Sequence, residues 1–185
     1  MTGLIILAIV VAAIGYAIFV YNDLVSKRQL KEEGWSGIDV QLKRRTDMIP
    51  NLMETVKGYM GHERETLEAV TQARAAATAG ANAGPAERSA LEGALSGALG
   101  KLLAIAEAYP DLKANTTFLE FQGALQNVED EIQLARRYYN GSVRNLNTAV
   151  ESFPSNVVAN AFKFEKAEYF ELENEADRAV PQVKF

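Results

Sequence analysis

TFLEFQGALQNVEDEIQLARRYYNGSVRNLNTAVES, residues 117–152, decides the fold class. Phe118, Phe121, Leu125, Val128, Ile132, Ala135, Tyr139, Val143, Leu146 and Val150 follow one another at alternating steps of three and four, with one exception. That spacing draws a single apolar stripe down an α-helix. At a rise of 1.5 Å per residue such a helix is roughly 50 Å long, a length suited to extended bundles rather than globular cores. Thr117 with Glu120 matches the capping-box spacing at its start. Ser152-Phe153-Pro154 stops it, and Ser155 or Asn156 offers a cap for a last helix holding Val158, Phe162, Tyr169 and Leu172.

Upstream the same period recurs. Leu24, Trp35, Ile38, Leu42 and Ile49 form one amphipathic frame, and Met53, Val56, Met60, Leu67 and Val70 continue it past Pro50. That proline is expected to kink the helix or to open the next, because it lacks a backbone donor. Residues 73–84, ARAAATAGANAG, hold nothing large enough to anchor a core and read as a turn. Gly84-Pro85 starts a third segment, buried along Leu91, Leu95, Ala98, Leu102 and Ile105, and Tyr109-Pro110-Asp111 ends it. No alternating or hairpin pattern interrupts these segments. The expected fold is all-α, an N-terminal transmembrane helix followed by an elongated antiparallel bundle of about four long helices.

The leader supplies the transmembrane part. Residues 3–20, GLIILAIVVAAIGYAIFV, are eighteen positions without a charge. As a helix they cover about 27 Å, close to the thickness of a bilayer's hydrocarbon core. Gly3, Leu4, Ile9, Ile14, Phe19 and Val20 mark the anchor, with Tyr16 and Tyr21 near its exit and no basic region ahead of it of the kind a cleaved signal carries. Lys27, Arg28 and Lys31 follow the span. The excess of cations there predicts an N-terminus outside and a cytoplasmic body. No Pro or Gly separates Tyr21 from Gly34, so anchor and first body helix read as one. The organisation expected is an anchor over residues 1–22, a bundle over 23–155, and a C-terminal helix and tail over 156–185 packing on that bundle.

Chemistry is scarce. With no cysteine, thiolate sites and disulfides are excluded, and a net charge of −5 leaves no basic surplus for nucleic acid. His62 is the single histidine; beside Glu63 and Glu65 it matches neither a di-metal carboxylate pattern nor a zincin. No nucleophile elbow or phosphate loop is present, so no catalytic residue, cofactor or small-molecule substrate is expected. Gly93, Gly97 and Gly100 fall within a helical pattern, where small residues let another helix come close. With Trp35 they are the candidate packing or assembly positions. Arg45 and Glu63 interrupt apolar frames and are expected at solvated edges rather than in an interior ion pair. Lys43-Arg44-Arg45 are too few for a lipid-binding patch and point in different directions. Phe162, Phe164, Tyr169 and Phe170 lie among charges near the C-terminus; they are candidates for docking a partner, or rings that wrap the bundle's end.

Three blocks carry a resemblance. YNDLVSKRQLKEEGWSGIDVQLKRRTDMIPNLMETVKGYMGHE (residues 21–63), YPDLKANTTFLEFQ (109–122) and ARRYYNGSVRNLN with SFPSN (135–147 and 152–156) are similar to the LemA family of bacterial membrane proteins. The block from Trp35 to Leu52 is its most specific part. The resemblance implies an N-terminal anchor in the bacterial inner membrane, a cytoplasmic helical body and no established enzymatic activity. It also implies a gene encoded near those of membrane metalloproteases or other small membrane proteins. Leu146 stands where members commonly have tyrosine, and Phe162-Lys163-Phe164 replaces a usual Gly-Phe, which bears on the packing of the last helix. Two roles follow as expectations: a membrane-tethered scaffold that self-associates as a homo-oligomer, or an adaptor docking another membrane protein.

Overall fold

Helix-forming composition and three-four spacing produce helices over most of the described part of the chain. The computed structural model describes residues 1–171, and among these there is no strand. In order they are α1 (Thr2–Lys57), α2 (Arg64–Ala79), a 3-10 turn (Gly80–Asn82), α3 (Pro85–Ala106), α4 (Pro110–Lys113), α5 (Thr116–Glu151) and α6 (Ser155–Ala161). The fold is all-α. It divides into two compact units, each described by itself: Met1–Ile38 with Ala135–Tyr169, and Asp39–Leu134 with Phe170 and Glu171.

α1 runs from the apolar leader into the body without a break and continues through Pro50 rather than ending there. A proline there removes the donor that would serve the carbonyl four residues back, Thr46. Arg74 Nε of α2 donates to that Thr46 oxygen at 3.0 Å, so the orphaned acceptor is satisfied and the helix continues. The break comes eight residues later. Gly58 and Gly61 flank it, with Tyr59 and Met60 both donating to the Val56 carbonyl. Met60 still reaches the core, where it is 1% exposed.

In the unit built on Asp39–Leu134, Ile49, Leu52, Val56, Met60, Val70, Leu95, Leu102 and Leu112 form the centre of one buried cluster closed by Phe118 and Leu125. α2 extends through most of the stretch expected to turn and ends at Ala79, leaving Gly80–Asn82 and Gly84 to reverse the chain. The cap of α5 differs from the expected Thr117–Glu120 pair. Asn115 Oδ1 accepts from the Phe118 amide at 3.0 Å, satisfying a free donor of the first turn from one residue before the helix.

In the other unit, the first part of α1 and the last part of α5 lie antiparallel. They approach closely at Gly34: a Cβ there would sit 3.0 Å from the Tyr139 Cα, so glycine is the residue that permits this approach. Val20, Leu24, Leu146, Val158, Ala159 and Phe164 make the core of this unit. The C-terminal helix is shorter than its apolar frame implied. α6 ends at Ala161 because Lys163 adopts a left-handed φ of 57°, letting Phe164 N donate to Ala159 O (2.9 Å) and Lys163 N to Asn160 O (3.3 Å). These two bonds make a Schellman stop, with the usual apolar contact between Phe164 and Ala159. Beyond it the chain is a strap without helix. Asn147 of α5 holds it by pairing with both backbone groups of Ala167, at 2.8 and 2.9 Å. Leu172 and the tail to Phe185 lie outside the described residues.

Candidate membrane anchor and a buried charge network

The leader is an uncovered apolar helix. Leu4, Ile9, Ile14 and Phe19 are exposed, at 73, 63, 55 and 70%, whereas Val20 turns into the core. Gly3 likewise has nothing beside it. Such a surface is unfavourable in water and ordinary in lipid. α1 is long and apolar enough to cross a membrane. α3 passes the same test of length and composition, yet it contributes Leu95, Leu99 and Leu102 to a core and carries buried Arg88 and Glu92, so it reads as a body helix.

Those two charges belong to a network that holds the unit around α3. Arg45, expected at a solvated edge, is instead 1% exposed, a correction that follows from its partners. Its guanidinium donates to Glu92 Oε2 at 2.5 Å, to Glu129 Oε1 at 2.6 Å and to Ser96 Oγ at 2.6 Å. Arg88 Nε donates to the other Glu92 oxygen at 3.0 Å, and its Nη2 reaches Asp39 at 3.1 Å. Arg88 Nη1 also donates to the Ala81 carbonyl. Glu92, itself 2% exposed, therefore lies between two buried guanidiniums, so Arg45, Arg88 and Glu92 each have an opposite charge beside them, while Arg45 Nε is left without a hydrogen-bond partner. Glu63 stays half-buried and accepts from Tyr109 Oη at 3.3 Å.

The remaining candidates separate. His62 is exposed, and no group of His, Cys, Asp or Glu among the described residues is arranged to hold a metal ion. Gly97 and Gly100 face open space, while Gly93 is half-buried. Trp35 is half-buried, its ring 5.4 Å from that of Tyr139. Phe164 and Phe170 are buried at 9 and 0%, leaving Phe162 and Tyr169 as the exposed rings. An open recess of about 330 Å³ lies at the break after α1, lined by Lys57, Met60, Arg64 and Leu67 among others.

Tyr139 gives the strap a pH dependence. Its hydroxyl donates to the Glu168 carbonyl at 2.9 Å, and burial followed by the Glu168 charge pushes its pKa up to about 12. The folded state thus holds this proton more tightly than the unfolded chain does. The associated stability is complete below pH 10 and disappears as pH rises through about 12. Urea midpoints taken between those limits should fall further for the native chain than for Tyr139→Phe; equal slopes would exclude the effect.

The LemA family model matches residues 34–185, which is most of the chain. This chain belongs to the LemA family. The match begins beside Trp35, so the apolar leader lies ahead of the LemA region. Protein LemA of Metamycoplasma hominis is 29% identical over 153 residues, covering 80% of this chain and 69% of that one. The magnetosome protein MamQ 2 of Paramagnetospirillum magneticum is 30% identical over 86 residues, 45% of this chain. MamQ of Magnetospirillum gryphiswaldense matches to the same extent. The chain spans about a third of those two magnetosome proteins (32%).

Proposed function

We propose that this LemA-family chain is a non-enzymatic, membrane-anchored helical scaffold that self-associates at the cytoplasmic face of the bacterial inner membrane. One observation carries the self-association. α3 is the most apolar body helix, yet only 33% of its most apolar eighteen residues is buried. Its uncovered side carries Ala90, Ala94, Gly97, Gly100 and Ala104 around a single exposed cation, Lys101, and these small residues let a second helix come close. Anchoring copies in two dimensions raises their local concentration and favours such contacts. Lys27, Arg28 and Lys31 after the span support an N-terminus outside and the body inside.

The full-length protein, extracted in mild detergent, should behave as a uniform particle of several 20.2 kDa chains. Joint Gly97→Leu and Gly100→Leu substitution should reduce that mass, since leucine holds the second backbone away. Monomers of the native chain would overturn the reading. They would turn attention to an adaptor role, docking a membrane protein such as a metalloprotease through the strap that bears exposed Tyr169.

A further inference from the structure

We propose that the corner between α5 and α6 is a second membrane contact, in which Phe153, Val157 and Phe162 enter the interfacial layer of the bilayer that the first helix crosses. The inference rests on the anchor reading of α1 and adds to it a lipid-facing surface from the other end of the chain.

Register places the corner at the right depth. α1 and α5 lie antiparallel with Gly34 against Tyr139. Both helices advance about 1.5 Å per residue, so fourteen residues back along α1 and fourteen forward from Tyr139 arrive at the same level. Those positions are Val20, the last residue of the apolar run, and Phe153. The packing agrees with this count: Val20 and Leu24 are buried with Leu146, Val158 and Ala159.

The chain's own structure also reaches inside the span. Ala17 packs on the same cluster, and Tyr21 meets Phe162 at 4.8 Å and Phe164 at 5.7 Å between ring centroids. The last turn of the span therefore cannot enter lipid without bringing α6 with it. From Ala17 to Val20 is about 5 Å of helix, the depth at which interfacial segments sit.

The surface carried to that depth suits lipid. Phe153, Val157 and Phe162 are exposed at 81, 60 and 58%. Residues 152–162, SFPSNVVANAF, contain no charged side chain, and the charges resume at Glu151 and Lys163 on either side. Arg28 lies 5.3 Å from the Phe164 ring, a cation at the headgroup side of the same cluster. Since this patch shares a margin with the span at Tyr21 and Phe162, the bilayer is its occupant rather than a separate protein.

The chain has no cysteine, so single cysteines can carry an environment-sensitive fluorophore in the full-length protein. Ile9→Cys, Phe153→Cys, Val157→Cys and Tyr138→Cys would be labelled in vesicles of phosphatidylcholine and phosphatidylglycerol. Each would then be quenched by lipids bearing a nitroxide near the headgroup or deep in the acyl chain. Helix content by circular dichroism checks that each labelled chain is folded. The expected result is deep quenching at position 9, shallow quenching at 153 and 157 several-fold above that at 138, and almost none at 138. Quenching at 9 with 153 and 157 as unquenched as 138 would overturn this proposal and leave the anchor intact. No quenching at 9 would overturn the anchor and this proposal together.

Discussion

Glu92→Leu is expected to destabilise the body by about 3–5 kcal/mol, because it leaves two buried guanidiniums facing an apolar side chain. Arg45 would keep Glu129, which is itself 33% exposed, and Arg88 would keep Asp39, which is 52% exposed. Neither substitute is desolvated enough to replace a carboxylate lying between the two. Arg45→Met should cost less, since Glu92 retains Arg88 at 3.0 Å on its own helix. The triple change Arg45→Met, Arg88→Met and Glu92→Leu should return most of the loss, as apolar replacement of a whole buried network is often neutral or better. Urea unfolding of the detergent-solubilised chain measures all three. A Glu92→Leu variant within about 1 kcal/mol of the native chain would mean that water reaches the site and that the pairing contributes little.

The order of these effects also says what the network does for the fold. Arg45 lies on α1, Glu92 on α3 and Glu129 on α5, so one guanidinium ties three helices together within a unit whose core is a cluster of apolar contacts. Leucine and valine stripes tolerate a shift of one turn; a guanidinium placed between two carboxylates does not.

Little of this network could be read in advance. Periodicity reports which side of a helix is apolar, and Arg45 appears there only as an interruption. Its partners lie 47 and 84 residues away, a separation that a local pattern does not register. The i,i+4 pair Arg88 and Glu92 was the one local signal, and it resembles any exposed helix pair. The α5 stripe was legible for the opposite reason: of its ten residues seven are buried and the other three half-buried, because a single long helix needs only its own spacing to declare its face. The break after Lys57 is masked in the sequence because Val56, Met60 and Leu67 keep the apolar count across it, while Gly58 and Gly61 carry the turn. Phe162 and Tyr169 are likewise seven apart, a helical interval, yet Lys163 and the Asn147 clamp make that segment a strap. The anchor was plain in composition alone, but that Val20 faces protein instead of lipid required the fold.

Ile9→Arg together with Ile14→Arg is expected to abolish membrane insertion while leaving the helical body folded. Ten Leu, Ile, Val and Phe side chains lie between Gly3 and Val20, Val20 itself packing on protein. At about 0.3–0.6 kcal/mol each they favour insertion by roughly 3–6 kcal/mol. An arginine near the helix centre opposes it by about 2.5–3.5 kcal/mol and also removes one isoleucine. A single substitution therefore leaves insertion close to balance, and two exceed what the rest of the span supplies. Both positions are exposed, at 63 and 55%, so neither change disturbs packing within the chain. Fractionation of cells carrying each variant distinguishes the cases: native chain in the membrane, single variants divided, the double variant soluble with its helical circular dichroism retained. If the double variant stayed in the membrane fraction through an alkaline wash, the span would not be the anchor, and the attachment would have to come from the body. Were it soluble and still assembled, contacts along α3 would be sufficient for self-association; were it soluble and monomeric, assembly would depend on the concentration that the bilayer imposes.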